Sequence, residues 1–147
     1  MATDETLQNL ERVRQVATQA GLKGRIDDER KQFQMLFGLP GGRSQIVLAR
    51  DSSAKGRKVV TFFSPCLEVE KGLLSGLGKG MSIELLRANE KLHFARYGIW
   101  EGEESVTVVA SCDCLLDTLD PAECHNAAWA VAFAADRFEH EHGQDEF

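Results

Sequence analysis

Thiols and imidazoles are the groups in this chain best suited to hold a metal or attack a substrate. Cys112 and Cys114 lie two residues apart, and the adjacent pair Cys124 and His125 follows them. Thiolate and imidazole ligands together suit zinc. The spacing does not reproduce the paired Cys-x-x-Cys of structural zinc sites, however. On a strand, positions 112 and 114 share a face. On a helix, Cys124 and His125 point about 100° apart and make no dyad by themselves. The four cysteines, Cys66 included, are therefore expected to be small buried hydrophobes. The alternative is a metal- or small-molecule-responsive regulatory domain that uses Cys112, Cys114, Cys124 and His125, or an internal pocket.

Gly76-Leu77-Gly78-Lys79-Gly80 invites a phosphate-loop reading. A Walker loop needs glycine where Leu73 stands and serine or threonine where Gly80 stands. A dinucleotide fingerprint needs glycine or alanine where Met81 stands. Both fail, and the segment is expected to be a flexible connector. His93 alternates with Ala95 and Tyr97 as a strand residue does, and His140 and His142 sit in an acidic tail. The carboxylate pairs Asp27-Asp28 and Glu103-Glu104 fall in predicted turns. Nucleophile, base and oxyanion roles stay unfilled, so no enzyme, no catalytic residue and no cofactor is expected.

Charge and composition bound the remaining classes. The 147 residues are 43% hydrophobic and carry a net charge of −6, and the acids concentrate late in the chain. From Asp117 onward eight acids face a single base, Arg137. This acidic end argues against nucleic acid as partner, because phosphate binding needs a basic face. One basic stretch, Arg43 to Lys58, reads as a solvated hairpin or a contact for an acidic partner. The longest apolar run, Ala127 to Ala135, is about half of what a bilayer demands. The acidic start Met1 to Glu5 has no apolar core behind it, so neither a signal peptide nor a membrane segment is expected. The expectation is one cytoplasmic domain without disulfides.

The elements that must position these groups follow from periodicity. Leu7, Leu10, Val13, Ala17 and Ala20 stripe a helix from Asp4 to Ala20, with Thr3 as its cap and Gly21 as its stop. Leu22 to Lys31 is charged and turn-like. Strands are expected at Gln32–Phe37, with Phe33, Met35 and Phe37 on one face, at Ser44–Arg50 and at Lys58–Phe63. The turns are Leu39 to Gly42 and Asp51 to Gly56, and Pro65 is expected to end or edge the third strand. Glycines 72, 76, 78 and 80 should prevent a continuous helix between Leu67 and Met81, so Ser82 caps a short one. Strands at His93–Trp100 and Ser105–Cys114 follow. Asp120-Pro121 opens the last helix, striped by Cys124, Ala128, Val131, Ala135 and Phe138. The tail His140–Phe147 should fray. The order α-β-β-β-α-β-β-α makes an α+β domain with a mainly antiparallel sheet.

On that last helix Trp129 and Phe133 stack at i, i+4, roughly opposite the Ala128-Val131-Ala135 stripe. Two large aromatics off the core face need a cover, supplied either by this domain or by a partner or second copy. They are the candidate partner or dimer surface.

Leu85-Leu-Arg-Ala-Asn89 followed by Leu92-His-Phe-Ala-Arg-Tyr-Gly-Ile99 resembles a pattern shared by YbjN-type proteins and the type III secretion chaperone (CesT-like) superfamily. Val106 to Asp113, Leu115 to Asp120 and an alanine-rich final helix are similar too. The resemblance spans residues 82 to 138 by motif and the whole chain by element order. It implies helices packed on a five-stranded antiparallel sheet, dimerisation, and a non-enzymatic role in binding a protein client or regulatory partner.

Overall fold

In the computed structural model, residues 2–70 and 74–142 are described. Helix α1 (Ala2–Gln19) is followed by strands β1 (Gly24–Asp27), β2 (Gln32–Gly38), β3 (Ser44–Asp51) and β4 (Val59–Glu70). Helix α2 (Leu74–Lys91), strands β5 (Arg96–Glu101) and β6 (Ser105–Leu115), and helix α3 (Pro121–Glu141) complete the chain. The sheet is antiparallel throughout, six strands in the order β1-β2-β3-β4-β6-β5. The α+β class and antiparallel sheet are as expected, but the strands number six rather than five.

The extra strand is β1, which lies in the stretch expected to be a turn. Its charged letters hide it, because it pairs at the sheet edge with only Ile26 packed inward against the core. Gly24 makes the pairing possible: a Cβ there would stand 2.4 Å from the Gln34 carbonyl oxygen and 2.6 Å from the Phe33 ring. Helix α1 begins at Ala2, so Thr3 lies within it and does not cap it.

The hairpins follow their turn chemistry. Lys55 and Gly56 both take positive φ between the bridged pair Ala54 and Arg57, the geometry of a two-residue I′ turn. Pro65 does not end β4, which continues to Glu70 and pairs with β6 through an irregularity between Pro65 and Leu67. It does end the pairing with β3, whose register stops at Leu48 opposite Phe63. Proline has no N–H for the ladder. The Ser64 hydroxyl supplies a bond there instead, donating to the Ile46 carbonyl at 2.6 Å.

Helix α2 departs most from expectation. It starts at Leu74 and contains Gly76, Gly78 and Gly80, while Gly72 lies outside the described residues. A helical glycine costs about 1 kcal/mol, a preference that tertiary docking overrides. Leu85 docks in the core with Met81 and Ala88 packed against it. Asn89 ties the helix end to the neighbouring strand, accepting from the Tyr97 N–H at 2.7 Å and donating to the Tyr97 carbonyl at 3.1 Å. Its amide thereby occupies part of the free edge of β5.

Helix α3 starts as expected, the Asp120 carboxylate accepting from the Glu123 N–H at 2.8 Å. Cys124, Ala128, Val131, Ala135 and Phe138 are all buried, and their small members let the helix lie close on β3, β4 and β6. The helix runs to Glu141, so residues 140 and 141 do not fray, and residues 143–147 lie outside the described residues. Helix α1 packs Leu10, Val13 and Val16 beside it over Phe33, Met35 and Val47.

Two substitutions test this packing. Val131→Asp is expected to cost more than about 4 kcal/mol by burying an unpaired charge. Gly24→Ala should cost about 1–3 kcal/mol through overpacking against β2. Chemical denaturation of both variants checks them, and wild-type midpoints would contradict the placements of α3 and β1.

Candidate functional site

Alternation along β2 and β3 divides the sheet into a covered and an open face. Phe33, Met35, Phe37, Val47 and Ala49 point into the core under α1 and α3. Leu36, Ile46 and Leu48 point the other way, where no helix among the described residues packs. Cross-strand register carries this apolar band onward, with Leu36 opposite Ile46, Leu48 opposite Phe63, and Pro65 opposite Val109.

The band covers itself only in its far half. Phe63 and Trp100 pack ring on ring at 4.7 Å, and the Arg50 guanidinium lies 4.1 Å from the Trp100 ring centre. Under this lid Val109 is only 1% exposed, although no helix among the described residues packs on this face. In the near half Leu36 is 69% and Ile46 41% exposed.

Four grooves, each sharing residues with the next, follow the band. A groove of about 290 Å³ joins Trp129 and Phe37 to Leu22, Met35 and Leu36. Met35 and Leu36 also line the next, about 430 Å³, with Gly24 and Ile46. Ile46 and Gln34 lead into a third of about 580 Å³ that reaches Leu48 and Pro65. Pro65 and Gln32 then border a fourth, about 410 Å³, ending at Phe63 and Trp100. Strand β1 is a shared wall of the middle two, through Gly24, Arg25 and Asp27.

The two aromatics singled out in the sequence sit at the near end and differ in their cover. Trp129 meets the edge of Phe37 at 4.6 Å and is partly buried against the core. Phe133 stacks on the other side of Trp129 at 5.2 Å and is 53% exposed. His125, one turn earlier, completes the row at 6.1 Å from Trp129. The domain thus supplies part of the cover for Trp129.

The cysteine–histidine group is not assembled. Cys124 faces the core while His125 sits beside Trp129, as adjacent helix positions require. Among the described residues, ligand atoms of three or more such side chains converge at Glu84, Glu141 and His142, and not at the cysteines. All four thiols are free. Burial pushes Cys66 up to about 12 and Cys124 up to about 11. A hydrogen bond between Cys112 and Cys114 holds Cys112 below the ordinary thiol range and drives Cys114 above it.

Two of the basic residues read as a solvated hairpin are engaged elsewhere. Arg43 makes a bidentate pair with Asp136 of α3 at 2.8 and 3.1 Å. Arg50 lies on the aromatic lid. A second buried polar set ties β3 and β4 to α3: Gln45 Nε2 donates to Ser64 Oγ at 2.8 Å and to Glu139 Oε1 at 3.2 Å. The Tyr97 hydroxyl donates to the Ala134 carbonyl at 2.7 Å, and burial raises its pKa. These contacts fix the helices to the covered face and leave the open face unencumbered.

Sequence reasoning singled out Trp129 and Phe133 and passed over Leu36, Ile46 and Trp100, which also line or border the grooves. The signal for Leu36 was present: it is an apolar residue in the polar phase of a strand whose other phase already holds Phe33, Met35 and Phe37.

Thiol chemistry gives a test of this placement. Cys112 should react first with a thiol reagent in the native protein, and Cys66 and Cys124 only after unfolding. The folded chain holds the protons of Cys66 and Cys124 more tightly than the unfolded chain does. Their stabilising contribution is therefore full below about pH 8.5 and is lost as pH rises toward the folded-state values. Melting temperature should fall above about pH 9, less steeply in the double variant Cys66→Ala, Cys124→Ala. Equal slopes would contradict the burial of these thiols.

No family model matches the chain, and no curated protein matches it.

Proposed function

We propose that this chain is a non-enzymatic protein-binding module, chaperone-like or regulatory, that holds a partner polypeptide in extended form along the open face of its sheet. The observation that carries this reading is the continuity of the four grooves from Trp129 to Trp100. A small molecule would need one enclosed, convergent pocket. A linked series of open grooves, with apolar Leu36, Ile46, Leu48 and Pro65 along the floor and the polar side chains of Arg25, Gln32 and Gln34 beside them, suits a chain whose alternate side chains drop in while its backbone stays near water. Trp129 and Phe133 provide the aromatic anchor at one end, the type of residue that dominates interface energies. Binding of this kind needs no cofactor.

The resemblance to YbjN-type proteins and type III secretion chaperones points in the same direction. Apart from β1, the order of elements is the one it implies, and Asn89 of its motif is the residue that pins β5. Four free cysteines favour a reducing compartment such as the cytoplasm. No helix among the described residues is long and apolar enough to cross a membrane.

A reduced, alkylated polypeptide that cannot fold serves as the probe. Leu36→Asp is expected to weaken its binding at least tenfold while leaving the melting temperature unchanged. Phe133→Ala should weaken it by about 1–2 kcal/mol, again without loss of stability. Trp129→Ala should lower both affinity and stability, because its ring serves the groove and the core. Sedimentation of the same variants separates client binding from self-association. If Leu36→Asp and Phe133→Ala bind the probe like wild type but shift a monomer–dimer equilibrium, the surface belongs to a homodimer and the client reading falls.

A further inference from the structure

Helix α3 ends on a group of side chains that the binding face does not use. Glu84 of α2 meets Glu141 and His142 at the end of α3, and the three donor atoms lie within 4.8 Å of one another. The His142 ring is held in place: it stacks on Phe138 at 4.1 Å with 17° between the planes. Its Nδ1 lies 2.8 Å from the Phe138 carbonyl oxygen. That carbonyl can only accept, so Nδ1 carries the proton and, in the neutral ring, Nε2 presents its lone pair toward the two carboxylates. Imidazoles that bind metals are oriented in this way, with the second nitrogen donating to a carbonyl or carboxylate.

The distances favour a shared ion over a direct pair. His142 Nε2 and Glu84 Oε1 are 3.4 Å apart. A charge-assisted hydrogen bond prefers about 2.7–2.9 Å. Two ligands of a tetrahedral zinc ion, each about 2.1 Å from the metal, stand roughly 3.4 Å apart. The carboxylates are open to an arriving ion, their side chains 56% and 48% exposed. The C-terminal end of α3, with its partial negative charge, adds attraction for a cation. Arg137 is the opposing charge, donating from Nε to Glu141 Oε1 at 3.0 Å.

We propose that Glu84, Glu141 and His142 form a binding site for a divalent transition-metal ion of the zinc class. One imidazole and two carboxylates bind the ion, and water completes its shell. The imidazole selects against magnesium and calcium, which take oxygen ligands. Because Glu84 belongs to α2, Glu141 ends α3 and His142 follows it directly, the ion clamps α2 to the end of α3. It thereby fixes Ile83 and Leu86, the exposed apolar residues flanking Glu84.

Calorimetric titration of chelator-treated full chain with zinc chloride tests the site. The expected result is one ion per chain and a higher melting temperature, with magnesium chloride at the same concentration giving neither. Glu84→Gln and His142→Gln should each weaken zinc binding at least tenfold, with metal-free melting temperatures near wild type. Arg137→Gln should tighten it by freeing Glu141. Cobalt substitution should give d–d bands without a thiolate charge-transfer band. Zinc binding unaffected by Glu84→Gln and His142→Gln, a thiolate band in the cobalt spectrum, or no binding at all would overturn the proposal.

Discussion

One-sided coverage of the sheet is the constraint from which the rest of this structure follows. The small residues of α3 let it settle closely on the central strands, and α1 packs beside it on the same face. The other face must then deal with its apolar residues unaided. It does so at one end with a lid of two aromatic rings and a guanidinium, which shields Val109 from water as a helix would. At the other end it leaves Leu36 and Ile46 open to solvent.

The edges of the sheet are shaped by the same economy of elements. At one edge the short strand β1 fits only because Gly24 carries no side chain, and it stands as a wall between grooves. At the other, Asn89 satisfies the outward N–H and carbonyl of Tyr97, so part of β5 is unavailable for pairing with another chain. The middle strand β4 loses its β3 neighbour at Pro65, and the Ser64 hydroxyl takes over the bond that proline cannot make. Pro65, where the β3 ladder stops, lines both the third and the fourth groove. The series of grooves thus arises from one glycine, one proline and a face that no helix among the described residues covers.

How far the sequence reveals this depends on whether a local pattern or a distant partner decides each element. The α3 stripe, its Asp120 cap, the alternation of β2 and a turn within Asp51 to Gly56 are set by residues close in the chain, and all were legible. Strand β1 was not, since its four residues take their structure from β2 rather than from their own alternation. Helix α2 was read as beginning eight residues too late, because glycine propensity was weighed without the docking of Leu85. Of the site, Trp129 and Phe133 stood out as aromatics off a core stripe, whereas Trp100 and Arg50 meet only through the β4–β6–β5 order, which is fixed by long-range pairing. The cysteines were read as small buried hydrophobes; Cys112, Cys114 and Cys124 belong to or pack against the core, while His125 projects from another side of α3 toward Trp129.

We propose that one extended partner occupies the whole series of grooves. The chain's two tryptophans stand at the ends of the series of grooves, Trp129 of α3 lining the first and Trp100 of β5 the last. Emission from the single-tryptophan variants Trp100→Phe and Trp129→Phe, titrated with an unfolded polypeptide that lacks tryptophan, therefore reads each end separately. Both variants should respond with the same midpoint, as one ligand spans both sites. A response at one tryptophan alone, or two unrelated midpoints, would contradict it.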